Sequence, residues 1–243
     1  MRHSILLLLL LLIHAPGLAQ LWTELEVGVV GTAYNDVRIP GSSGTFFSFR
    51  DDLDGETDFF YRLRAGYRFG EHNEVLLLYA PLKLTYQGSF QQPVRFFGED
   101  FPANQSIDAT YKFNSYRATY RYYVRPKGRF VAALGVTVKV RDALIGIYSG
   151  ELSAERTDLG PVPLINFLVH WKPTGCLGLL LEGDALAVPY GRAEDVMLAV
   201  TWQAHDHISL RAGYRLLEGG ADNAQVYTFS MFHYGLVAVQ FSL

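Results

Sequence analysis

The chain has 243 residues, a single cysteine and a formal net charge of −3, and 14% of its residues are aromatic. That balance excludes an electrostatic case for nucleic acid, a disulfide framework within one chain and a cysteine-based metal cluster. The length suits one substantial domain, and no stretch reads as a linker.

The N-terminus opens with Met-Arg-His-Ser, an apolar run from Ile5 to Ile13, and Ala15-Pro-Gly-Leu-Ala19. A basic start, a short apolar core and small residues at the end are the parts of a secretory signal peptide, with cleavage expected after Ala19. The run is too short to span as a helix, which takes about 20 apolar residues. Residues 1–19 are therefore read as an export leader and 20–243 as one domain.

Ten strands are expected, over 22–34, 58–70, 74–87, 109–125, 129–143, 162–172, 176–187, 193–204, 207–217 and 226–243. Apolar and polar residues alternate along them, as in the hexapeptide Leu-Arg-Ala-Gly-Tyr-Arg, which occurs at both Leu63–Arg68 and Leu210–Arg215. In a strand, alternation puts Leu63, Ala65 and Tyr67 on one face and Arg64 and Arg68 on the other. The connections at Gly70–Asn73, Arg125–Gly128, Lys172–Gly175 and Ala204–His207 are tight. Those at Asn35–Thr57, Gly88–Asp108, Leu144–Pro161, Val188–Arg192 and Glu218–Gln225 are mostly longer. With no later run long enough for a membrane helix, such a chain crosses a bilayer only as a closed barrel, with short turns on one rim and long loops on the other. The least regular stretch is Leu76–Leu84, apolar on both faces and interrupted by Pro81.

In the last strand Val237, Val239, Phe241 and Leu243 share one face. This ending resembles the closing strand of small bacterial outer-membrane β-barrel proteins, departing from their pattern by ending on Leu rather than Phe. The resemblance covers the whole mature chain. It implies an all-β fold, an antiparallel up-and-down transmembrane β-barrel of about ten strands. It further implies a monomer in the outer membrane, surrounded by lipid and lipopolysaccharide and delivered by the barrel assembly machinery. Two folds compete: an eight-stranded barrel with two segments as loop or plug, and a soluble exported sandwich.

A charge facing lipid costs about 2–4 kcal/mol for Arg or Lys at the bilayer midplane, so the basic residues of the strands are assigned inward. These are Arg62, Arg64, Arg68, Lys83, Arg117, Arg121, Lys139, Arg141, Lys172, Arg211 and Arg215, with Glu24, Glu26, Glu182 and Asp184 as acids on the same side. Basic positions outnumber acidic ones, which suits either a filled salt-bridge network or a site for a small anionic solute. Glu182, Asp184, Arg192, Glu194 and Asp195 form the densest polar cluster. Its carboxylates have the chemistry to hold a divalent cation, but neutralisation by Arg192 and the lumen arginines is preferred, and no metal or cofactor is expected. The acidic loop Asp51, Asp52, Asp54, Glu56 and Asp58 lacks the spacing of a calcium-binding EF-hand.

Catalytic constellations are poorly represented. Asp206-His207 falls in a periplasmic turn far from the acidic loop, Ser230 and His233 fall on opposite faces of one strand, and His170 faces the lumen. No phosphate loop, paired-histidine zinc motif or nucleophile elbow is present. The expected role is structural, surface-interacting or solute-binding. A narrow anion-favouring channel and, more remotely, a barrel protease or lipid hydrolase are the alternatives. Phe46, Phe47, Phe96 and Phe97 in the long loops are read either as an interaction surface or as a lid packed over the lumen.

Overall fold

The computed structural model describes residues 19–243, so the leader expected over 1–19 lies, apart from Ala19, outside the described residues. Ten antiparallel barrel strands follow one another around the wall. They are β1 (Ala19–Arg38), β2 (Asp58–Phe69), β3 (Asn73–Ala80, resuming as Lys83–Gly88), β4 (Ile107–Arg125) and β5 (Phe130–Ser149). The second half comprises β6 (Leu152–Trp171), β7 (Leu177–Val188), β8 (Gly191–His205), β9 (Ile208–Asp222) and β10 (Tyr227–Ser242). β1 pairs with β10 from Trp22↔Ser242 to Arg38↔Tyr227 and closes the cylinder. Closure removes the free edges that would make a lone sheet sticky, and it excludes the sandwich alternative. Leu76–Leu84 belongs to the wall, with Pro81 at the break in β3, so the eight-stranded alternative is excluded as well.

Strand alternation sorts the side chains into an outer and an inner set. Leu25, Val27 and Val29 on β1, Leu63 on β2, Tyr116 and Tyr120 on β4, Leu134, Val136 and Val138 on β5, and Val237 and Phe241 on β10 all face outward and are exposed. On β5 this apolar row runs from Phe130 to Val140. At about 3.4 Å per residue and a tilt of about 40° it is roughly 25 Å tall, the height of the apolar band of a transmembrane barrel. Soluble surfaces do not carry so continuous an apolar belt.

The interior is stratified. Its middle holds charged residues, treated below. Its outer half is apolar, with Val30, Phe60, Leu84, Tyr111, Ile145, Leu217, Phe232 and Tyr234 all buried. Two loops fold down onto that layer. In the loop after β1, Phe47–Ser48 pairs back on β1 and Leu53–Gly55 pairs with the outer part of β3. In the loop after β3, Val94–Phe96 and Glu99–Phe101 form a small hairpin turned by Phe97 and Gly98, both at positive φ, the conformation two-residue hairpin turns demand. Phe47 is the hub of the cap, meeting Phe49 and Phe90 at 5.3 Å and Phe96 at 6.0 Å between ring centroids. The four loop phenylalanines therefore divide: Phe47 and Phe96 are buried in the lid, whereas Phe46 and Phe97 are exposed.

Two connections are shorter than expected: Glu218–Gln225, because β9 stays paired with β10 as far as Asp222↔Tyr227, and, far more, the one after β5. Leu144–Pro161, read as a long loop, is the outer half of a continuous β5–β6 hairpin, paired to its tip at Ser149↔Leu152. Above the membrane band the outward face no longer needs to be apolar, so the alternation that marks the wall disappears while the backbone ladder continues.

Candidate functional site

The charged middle of the lumen is built on alternate residues of β1, β2, β4, β7, β8 and β9. Asp195 of β8 is its hub: Oδ1 accepts from Arg215 at 2.5 Å, and Oδ2 accepts from Arg62 at 2.9 Å and lies 2.6 Å from Arg117. Arg215 also donates to Glu26 at 2.7 Å, and Arg117 to Asp184 at 2.7 Å. A second tier lies nearer the periplasmic turns. There Glu182 pairs with Arg64, and with Arg121 at 3.4 Å; Glu24 lies 2.9 Å from Arg211; and Glu74 lies 3.3 Å from Arg121. Trp22 Nε1 and the Tyr123 hydroxyl each donate to Glu74 at 2.9 Å. Thr137 and Asn166 complete Asp184, donating at 2.6 and 2.8 Å. Each deep carboxylate thus faces at least one guanidinium, the arrangement that makes buried charge tolerable.

Arg62, Arg64, Arg117, Arg121, Glu182, Asp184, Arg211 and Arg215 therefore occupy the lumen together. Other assignments need correction. Arg192 shares the outward parity of Leu198 and Val200 on β8, so it stands outside the charged middle; it pairs with Glu218, with Tyr34 joining them, lies 5.0 Å over Phe229 near the outer rim, and contributes to the lining of the outer cavity described below. Lys83 follows the outward parity of Val75 and Leu77 and is exposed above the apolar band, where a charge costs little. Lys172 is exposed at the periplasmic turn after Trp171. The inward acids Glu74 and Asp195 were not assigned from sequence, and together with the removal of Lys83 and Lys172 they roughly halve the expected basic excess. Asp195 was legible by parity, because it alternates with Met197, Ala199 and Thr201, all buried.

The lumen is filled. The cavity of about 30 Å³ among the arginines has room for a water or two, and that of about 10 Å³ beneath the apolar layer for one at most, so neither is a solute path. A broad concavity of about 830 Å³ is lined chiefly by outward residues such as Leu25, Leu63, Tyr116 and Val138, so it lies on the face that acyl chains cover.

A different cavity, about 410 Å³, lies at the outer end, between the inner faces of β5 and β6, the ends of β7 and β8, and Ile39 of the first loop. Ligand pockets typically span about 300–1,000 Å³. Lys139 and Arg141 of β5 and Arg156 and Asp158 of β6 line it, with Tyr111, Phe113 and Tyr190. Arg141 pairs with Asp158, and Arg156 sits 5.5 Å over the Phe97 ring. Lys139 is only 3% exposed, its ammonium 5.1 Å over Phe113. It has no hydrogen-bond or ion-pair partner among the described residues, and its cross-strand neighbour is another cation, Arg117. It is the lumen cation left over once the arginines and carboxylates are matched.

The other candidate groups are dispersed. His207 binds the Ser242 carbonyl at a periplasmic turn, at the opposite end from Asp51–Asp58. His233 faces outward against Tyr214, whereas Ser230 faces inward and hydrogen-bonds Tyr111 at 2.9 Å. His170 meets Thr201 at 2.9 Å.

No protein-family model and no curated protein matches the sequence. Among solved structures, the outer membrane protease OmpT from Escherichia coli aligns over 92% of this chain and 97% of its own, with a TM-score of 0.58 and 7% identity. The translocator domain of the autotransporter NalP from Neisseria meningitidis aligns over 99% and 94%, with a TM-score of 0.47 and 12% identity. The attachment invasion locus protein Ail of Yersinia pestis, solved with a heparin analogue, gives 0.39 at 10% identity over 92% of this chain and 99% of that one. At 7% identity the likeness to OmpT is one of fold alone, that of an outer-membrane β-barrel.

Proposed function

We propose that this chain is an integral outer-membrane β-barrel whose lumen does not conduct and whose outer cavity binds a small anionic solute. The observation that carries this reading is Lys139, a buried ammonium lining a ligand-sized cavity without a carboxylate partner. A buried charge left unpaired is strongly unfavourable, and an anion from outside supplies the missing partner. The apolar outer belt supports insertion in a bilayer, and the filled lumen argues against the anion-channel alternative. The enzyme alternative has less support, because the histidines and the acidic loop lie too far apart to act together.

The test has two parts. In planar bilayers the folded barrel is expected to be electrically silent; reproducible single-channel steps would overturn the sealed lumen. In lipid nanodiscs, titration with inorganic phosphate or acetate is expected to show saturable binding, weakened about tenfold in Lys139→Met, as loss of one charge-assisted hydrogen bond implies. Identical isotherms for the two proteins would remove the site.

A further inference from the structure

We infer that the outer cavity is reached sideways from the membrane, and that its ligand is a single-chain anionic amphiphile. The inference rests on the anion-binding reading above and gives it a route and a ligand class. The structural basis is a seam between β6 and β7. These strands pair only from Ile165↔Ala185 down to Trp171↔Leu179. Above Ile165, β6 continues to Leu152 with β5 as its sole ladder partner, while β7 continues to Val188 paired only with β8.

The wall has a second such interruption, between β2 and β3, and there Leu53–Gly55 of the first loop adds a strand to the outer part of β3. Among the described residues no strand does this for β6. Its sequence accounts for the difference. Pro161 and Pro163 sit in the β5–β6 ladder opposite Val140 and Val138 without any shift of register. A proline keeps such a place without loss only where its donor-less nitrogen faces away from the partner strand, here toward β7. Two of the donors needed to zip the seam are therefore missing.

The height and lining of the seam identify what it opens to. Val138 and Val140 belong to the upper part of the outward apolar row, so the gap begins within the membrane band. Its rims are Pro161, Val162 and Pro163 on one side and Leu186, Ala187 and Val188 on the other. An opening onto water has no need of apolar rims, whereas one onto acyl chains does. Val162, Leu186 and Val188 also line the 410 Å³ cavity, so the gap and the cavity are continuous, and Lys139 and Arg141 stand within it. A hydrocarbon chain lying across the apolar rims places an anionic head against Lys139. A fatty carboxylate and a single-chain phosphate share that chemistry.

The experiment uses the folded barrel in lipid nanodiscs with cis-parinarate as the fluorescent probe, and dodecanoate and dodecyl phosphate as competitors that separate the two head groups. Saturable binding above that of empty nanodiscs is expected, about tenfold weaker in Lys139→Met and retained in Lys139→Arg. The variant P161T/P163T, which restores both donors, and Val188→Trp, which puts bulk into the opening, are each expected to slow association several-fold. Binding of inorganic phosphate is expected to be unchanged in both. Parinarate signal no greater than in empty nanodiscs, or unchanged association rates in both seam variants, would overturn the inference. If phosphate still binds through Lys139, the outer anion site survives that failure; if neither probe binds, both readings fall.

Discussion

Asp195→Asn is the sharpest test of the lumen. The change keeps the shape of the side chain and removes one negative charge from among Arg62, Arg117 and Arg215, all in contact with that carboxylate. Taking about 4 Å between charge centres and an effective dielectric of about 20, each attraction is worth about 4 kcal/mol, roughly 12 in all. Desolvation of a buried carboxylate offsets several kcal/mol of that, and mutual repulsion of the guanidiniums offsets more. Glu26 and Asp184 remain to hold Arg215 and Arg117, but Arg62 keeps only a 3.8 Å approach to Glu26. The net cost expected is about 3–5 kcal/mol, the range for breaking a buried ion pair from one side. Reversible urea unfolding in phospholipid vesicles, followed by tryptophan fluorescence, measures it. In Asp195→Asn with Arg62→Met the stranded charge is gone, so the double variant should be more stable than the single one. A single-variant loss below about 1 kcal/mol, or strict additivity in the double, would refute the account of the lumen as a closed charge balance.

Other consequences are equally direct. Val136→Arg places a charge within the outward belt and is expected to cost about 2–4 kcal/mol in the same assay, whereas Tyr122→Arg, near the end of β4, is expected to cost about 0–1 kcal/mol. Equal effects would mean that the belt does not face lipid. Gly66→Ala drives a methyl to 2.2 Å from the Trp22 ring, so it should cost about 1–3 kcal/mol and shift Trp22 emission. A neutral result would show that the ring does not lie over that glycine. The Glu71 carboxyl in the β2–β3 turn is held below its ordinary value by the hydrogen bond from Lys127. Its depressed folded value means the contact contributes above the unfolded value and is lost as pH falls through the folded one. An NMR titration of Glu71 should return to the ordinary range in Lys127→Ala, and an unchanged midpoint would exclude the contact in solution.

Much of the wall is legible in the sequence because membrane and lumen impose opposite demands on alternate residues. Leu63, Ala65 and Tyr67 against Arg64 and Arg68 is that demand written into one strand. Legibility fails where one of the two demands lapses. Leu76 and Leu84 are apolar although they point inward, because the interior is not polar throughout. Lys83 faces outward without penalty because it stands above the belt. Leu144–Pro161 looks like a loop because its outer face meets water and Pro161 at its end looks like a breaker, although it marks an unpaired edge. Lys139 was visible as an inward cation, but its lack of a partner depends on how β4, β7 and β8 distribute their carboxylates. That distribution is a tertiary fact no single strand records.

The phenylalanine lid changes where this protein is free to vary. Surface loops of a barrel ordinarily drift with little penalty, since the wall stands without them. Here the loop after β1 and the hairpin after β3 are interior in the energetic sense, and an insertion at Phe47 or Phe96 would disturb a hydrophobic core. The freedom lies elsewhere, at the β5–β6 tip around the exposed Gly150 and Glu151. Epitope tags, display fusions and sequence drift among related strains should all concentrate at that tip.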